Sequence, residues 1–207
     1  MLRGVDGVRV ILAPELREYA RQVRAQTAEI RALFGGHDEA ALYWRPDPTQ
    51  WSIAQHVSHL TLATRSWLSA IDAAVERTRA RGFTGPGPYR HGWLGNLVVR
   101  MMEPPSRLRF RAGGELDPGE PGPAAAVLAD FLGAQLELER SIVRANGVDL
   151  GRPRVRLPFV KGIRLTAGQT YRLILAHNRR HLWHIWRLER APGFPGRERE
   201  GGRVEEG

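Results

Sequence analysis

The chain contains no cysteine, and of its thirty-one basic residues only Lys161 is a lysine. The first absence removes disulfides, thiolate metal ligands and a cysteine nucleophile, and leaves histidine and carboxylate as the only strong ligands for a metal ion. The second means that the net charge of +9 is carried by arginine. These arginines are spread over the whole chain and interleaved with acids, as in Glu137-Leu138-Glu139-Arg140. A surface that tracks phosphates would gather them on one face and carry a reader motif, so a nucleic-acid partner is not expected. No apolar stretch approaches the length of a membrane span. The opening Met1-Leu2-Arg3-Gly4-Val5-Asp6 lacks the basic segment and apolar core of a signal peptide. A soluble, cytoplasmic protein without a membrane partner is therefore expected. The His-Glu-x-x-His motif of zinc proteases is also missing, which argues against a protease.

What the chain has instead is histidine in a pattern. His177 and His181 stand four apart in His177-Asn178-Arg179-Arg180-His181-Leu182-Trp183-His184. His59 lies far upstream in Trp51-Ser52-Ile53-Ala54-Gln55-His56-Val57-Ser58-His59-Leu60. Residues four apart on an α-helix sit one turn above each other, so His177 and His181 point the same way. Two imidazoles on one face are half of a metal site. A third from another helix completes a triad that keeps positions open for water or substrate.

At about 100° per residue, His181 falls about 40° and His184 about 20° from His177, at the edge of the apolar arc of Ile174, Leu182, Ile185 and Leu188. Arg179, Arg180, Arg187 and Arg190 fill the opposite arc, which the helical wheel assigns to solvent. Asn178 is the odd polar residue in the apolar sector, a candidate to support a ligand or to hydrogen-bond within the core. His56, one turn before His59, can reach the same cavity and is the alternative third ligand. His184 is a candidate supporting or proton-transfer group at the site's edge. Trp183 falls in the arginine arc and would be exposed in a monomer, a hint of a homodimer; Trp67 and Trp186 read as core or interface residues.

The spacing of apolar residues predicts four long helices and one short one. Residues 14–33 form the first, with Pro14 near its start and Gly35-Gly36 as its stop. Ser52 and Gln55 make a capping box that opens the second, running to about residue 81 before Gly82. A short helix is predicted over 93–102, and a third long one over 124–146 with Gly147 as its stop. Thr166 and Gln169 make a second capping box before the histidine helix, which ends near Arg190. Trp44-Arg45-Pro46-Asp47-Pro48, the segment around Leu108-Arg109-Phe110, and Leu157-Pro158-Phe159 read as extended connectors. The chain divides into an N-terminal extension (1–13), a single domain (14–190) and a tail (191–207) expected to be disordered. Four such helices with long crossovers argue for an all-α four-helix bundle, in which ligand sites are built from inward side chains on facing helices.

The Trp-Ser-Ile-x-x-x-x-x-His-Leu segment over 51–60, the His-x-x-x-His of His177 and His181, and the connectors Pro104-Pro105-Ser106-Arg107-Leu108 and Leu157-Pro158-Phe159 together resemble the DinB/YfiT-like superfamily, over roughly residues 10–190. The resemblance implies a four-helix bundle with a divalent metal, often nickel or zinc, held by three histidines. Carried over by position, these are His59, His177 and His181; the histidine just before leucine in the family pattern favours His59 over His56. Relatives include thiol S-transferases that use bacillithiol, mycothiol-dependent isomerases and proteins described as metal-dependent hydrolases, and homodimers are common among them. The resemblance therefore implies first a thiol-dependent S-transferase acting on a small-molecule substrate, with a metal-dependent hydrolase as the alternative. A non-catalytic metal-binding or stress-response module is the other class. With no protein cysteine, a thiol would come from a low-molecular-weight cofactor, whose carboxylates Arg179 and Arg180 are candidates to pair. The plainer reading of that pair is two solvated arginines. Trp51 reads as an ordinary anchor between connector and bundle.

Overall fold

The computed structural model describes residues 2–3, 9–105, 114–156, 162 and 164–195, with side chains from residue 11 onward. Its helices are α1 Pro14–Gly36, α2 Glu39–Tyr43, α3 Ile53–Ala80, α4 Trp93–Met102, α5 Ala124–Arg144 and α6 Ala167–Glu189. α1, α3, α5 and α6 are the four long helices, and they make an all-α bundle. Both capping boxes form as the sequence predicts. The Ser52 hydroxyl accepts from the Gln55 backbone N–H while the Gln55 side chain accepts from Ser52 N–H, and Thr166 and Gln169 do the same at the start of α6.

Each of these glutamines also reaches outward with its amide nitrogen. Gln55 Nε2 donates to the Gly119 carbonyl at 2.9 Å, and Gln169 Nε2 donates to the Gly92 carbonyl at 2.7 Å. Gln169 thereby docks α4 on α6. A Cβ on Gly95 of α4 would come within 2.3 Å of the Gln169 side-chain oxygen, so this approach requires glycine.

Some local features differ from expectation. α1 continues through Gly35 and Gly36 and stops only at His37, whose backbone is extended. Asp38 then caps α2, its carboxylate accepting from Ala41 N–H at 3.0 Å. Five residues are too few for a periodic signal, which is why α2 was not legible. Two antiparallel hairpins also escape a periodicity search because each strand is two or three residues long. β1 (Leu2–Arg3) pairs with β2 (Arg9–Val10), and β3 (Arg154–Arg156) pairs with β4 (Arg164–Thr166). The connectors expected around 108–110 and 157–159, and the tail from residue 196 on, lie outside the described residues.

The bundle is not wound in sequence order. α3 packs against α5 and α6, and α1 packs against the same two, so α1 faces α3 across one diagonal and α5 faces α6 across the other. The long connections allow this arrangement. Beside a smaller one around Val99 and Leu173 where α4 meets α6, two large apolar clusters fill the interior. One is built around Leu16, Trp67, Ile71, Leu138, Ile142, Tyr171 and Ile174; the other around Ile53, Val57, Leu60, Phe131, Ile185 and Leu188. On α3 and α6 the histidines sit at the junction between the clusters, in the middle of the bundle.

Within the first of these clusters Ser141 links α5 to two neighbours. Its hydroxyl donates to Asp72 at 2.6 Å and stands 2.7 Å from the buried Tyr171 hydroxyl. Trp67 is buried, Trp183 is half-buried rather than fully exposed, and Trp186 is exposed. Arg187 lies over the Trp183 ring and Arg190 over the Trp186 ring, cation–π contacts made within one chain. No helix among the described residues is long and apolar enough to cross a membrane.

Candidate metal centre

The first turns of α3 bring His56 and His59 to the bundle interior, and the middle of α6 brings His177 and His181 to meet them. All four are buried. His59 Nε2 stands 3.2 Å from His177 Nε2, and His181 Nε2 stands 3.2 Å from the same atom. One ring nitrogen from each of His59, His177 and His181 therefore falls within a single small cluster, a group that could hold a metal ion. Imidazole nitrogens each about 2.0–2.1 Å from a shared ion stand about 2.9 Å apart at right angles and about 3.4 Å apart in a tetrahedral arrangement. Both spacings to His177 lie between these values, which suits a shared divalent ion.

The other nitrogens of these rings decide which face carries the lone pair. His59 Nδ1 is 2.8 Å from the Leu116 carbonyl. A carbonyl only accepts, so the His59 proton sits on Nδ1 and its Nε2 presents a lone pair to the cluster. His181 Nδ1 stands 2.9 Å from His56 Nδ1. His177 Nδ1 has no hydrogen-bond partner among the described residues. His56 thus touches the cluster through His181 rather than contributing a nitrogen to it, and of the two candidates on α3 it is His59 whose Nε2 lies with the others.

Burial governs the protonation of all five histidines here. It pushes His177 and His181 well below the ordinary imidazole range, reinforced in His177 by His59, Arg180 and His56 and in His181 by the surrounding imidazoles. His59 is also lowered by burial, with the Leu116 carbonyl and Asp117 opposing the shift. Burial, with repulsion from His184 and His59, takes His56 down to about 3. His184 is brought to about 4 by burial and by the charges of Arg180 and Arg187. At neutral pH the cluster is a set of uncharged imidazoles, the form in which histidine ligates a metal.

Two tryptophans wall the cluster. Trp51 lies with its ring centroid 4.9 Å from His59 and 5.5 Å from His56, and it stacks on His181 at 6.1 Å. Trp67 meets His177 edge-on at 5.1 Å. Trp51 is more than the connector anchor its sequence position suggested. The residue before a cap packs on the fourth helical residue, which here is His56, so the capping box already carried the signal. Trp67 is detectable in the same way, since positions 56, 59, 60, 63 and 67 share one face of α3. Leu116 gave no signal, because it contributes a backbone carbonyl from the 3-10 turn Gly114–Leu116.

The remaining candidates fall elsewhere. His184 stacks parallel to His56 at 5.7 Å and is 6.0 Å from His181, at the edge of the cluster. Asn178 is buried on a different side of α6, where its amide donates to Gln26 of α1 at 3.1 Å; it bonds within the core and reaches none of the clustered histidines. Arg179 points away from the histidines and is held by Glu103 at 2.5 and 2.8 Å and by Gln22 at 2.6 Å. Arg180 is buried rather than solvated, close enough for its charge to lower both His177 and His184. The helical wheel misplaced it because α1, α3 and α4 all pack on α6, leaving the first part of that helix without a wide solvent face.

Residues 21–185 match the family model of the DinB superfamily. The chain belongs to the DinB superfamily. Its sequence matches no curated protein and no solved structure. What a DinB-superfamily bundle supplies is then visible in the chain itself. Three neutral imidazoles converge from two rigid helices, one of them fixed by a backbone carbonyl, with aromatic walls and a buried arginine alongside.

Proposed function

We propose that this protein is a divalent-metal-dependent enzyme whose ion is held by His59, His177 and His181, and that it activates a low-molecular-weight thiol for transfer to a small electrophilic substrate. The observation that carries the reading is the convergence of three rings in a buried, uncharged cluster, with His59 Nε2 and His181 Nε2 each 3.2 Å from His177 Nε2. A divalent ion of the nickel or zinc kind, bound there with open positions, lowers the pKa of a thiol or water that joins it. The chain's own residues supply the rest. Leu116 holds the His59 proton on Nδ1 and so keeps its lone pair aimed inward. Trp51 and Trp67 fix the ring planes and exclude water from two sides. Arg180 places a positive charge beside the cluster, suited to the carboxylates of a small thiol or to charge developing on a substrate. No cysteine is present, so the sulfur nucleophile is external.

The test is turnover by nickel- or zinc-loaded protein with an activated aryl halide as electrophile, with and without bacillithiol, mycothiol or cysteine. Loss of the electrophile that requires both metal and thiol, and disappears in His177→Ala, is the expected result. Metal-dependent loss of the electrophile that ignores the thiol would replace transfer by hydrolysis. No turnover of either kind by fully loaded protein would leave a metal-binding module.

A further inference from the structure

His56 stands against the metal cluster without belonging to it, and its contact constrains where protons sit. The two Nδ1 atoms of His56 and His181 are 2.9 Å apart. Two bare lone pairs repel at that distance, and two N–H groups clash, so one nitrogen donates and the other accepts. As a metal ligand His181 is neutral and carries a single proton. If its Nε2 presents a lone pair to the cluster, that proton is on Nδ1, and His56 Nδ1 must accept it. His56 then keeps its own proton on Nε2.

We propose that His56 is a positioning residue for the metal. It accepts the His181 Nδ1–H bond, fixes the tautomer and ring plane of that ligand, and thereby tightens binding of the ion, without itself being a ligand. This rests on the three-histidine reading above. Each clustered ring is then treated differently on its far side. A backbone carbonyl holds His59, an imidazole holds His181, and His177 has no partner there among the described residues. His56 is built for this role. Its own ring is pinned edge-on by Trp51 and stacked on His184 within 3° of parallel. An accepting partner raises the basicity of the ligand behind it.

Two substitutions separate hydrogen bonding from packing. His56→Phe keeps the ring and its contacts but removes the acceptor. His56→Asn loses the ring but places an amide oxygen near the former Nδ1. Zinc affinity measured by chelator competition, with folding checked by circular dichroism, is expected to fall about ten- to a hundredfold in His56→Phe, with one equivalent of metal still bound. His56→Asn is expected to recover most of that loss. In cobalt-loaded protein, the exchangeable imidazole proton of His181 is expected to be protected in wild type and in His56→Asn and to exchange rapidly in His56→Phe.

Equal affinity in wild type and His56→Phe, or tighter binding by His56→Phe than by His56→Asn, would overturn the proposal, since only packing would then matter. So would loss of all metal from both variants, or two equivalents in wild type falling to one, because His56 would then be a ligand. Failure of the underlying reading looks different: wild type takes up no metal, or His181→Ala binds it as tightly as wild type.

Discussion

His177 depends on its neighbours more than the other clustered histidines do. Its Nδ1 has no hydrogen-bond partner among the described residues, and the Trp67 ring lies edge-on against it. The orientation of this imidazole is therefore set by packing. Trp67→Ala is expected to cost about 3–5 kcal/mol of stability, the usual loss for deleting a buried tryptophan. It is also expected to weaken metal binding, because the imidazole gains room to turn. Urea unfolding and chelator competition measure the two effects, and Trp67→Phe should restore much of both. Unchanged metal affinity in Trp67→Ala would show that His177 is held in some other way. At this scale the four-residue spacing exposed His177 and His181, while the choice of His59 over His56 came from the resemblance of the 51–60 segment to the family pattern. The wheel failed at Arg180, since it assumes one solvent-facing side along the whole helix and the first part of α6 is packed by α1, α3 and α4.

The α3 helix begins one turn before its first histidine, so its cap sets both the helix and the site. Ser52→Ala removes the hydroxyl that accepts from Gln55 N–H. The expected loss is about 1 kcal/mol of stability. Metal binding should weaken as well, because fraying of the first turn moves His56 and His59. Thr166→Ala at the start of α6 breaks an equivalent cap and should cost a similar amount. His177 lies almost three turns further on, so metal affinity should hardly change. Equal effects of the two variants on metal binding would contradict this division. The long helices and both caps were legible because many residues repeat one signal over about twenty positions. α2, the 3-10 turn and the short strands were not, because three to five residues carry no period and their form is set by what they pack on.

Across the whole molecule, five histidines gathered in one place make stability depend on pH. All have folded pKa values below the ordinary 6.5, with His184 near 4 and His56 near 3. Above about pH 6.5 both folded and unfolded chains hold these rings neutral, so the groups contribute no slope. Below it the unfolded chain takes up protons that the folded chain refuses, and stability falls with pH. The metal-free protein is therefore expected to lose stability steadily from about pH 6.5 down toward pH 4. Urea midpoints across that range measure the slope, which should flatten in His184→Phe. A flat profile would mean that the histidines are not buried together.

The central claim is that His59, His177 and His181 share one ion, and metal content tests it most directly. Protein purified without an affinity tag would be assayed by elemental analysis beside His59→Ala and His177→Ala. One equivalent of a divalent metal per chain, lost in both variants, is the expected result. Wild-type protein that carries no metal after reconstitution with nickel or zinc, or variants that retain it in full, would contradict it.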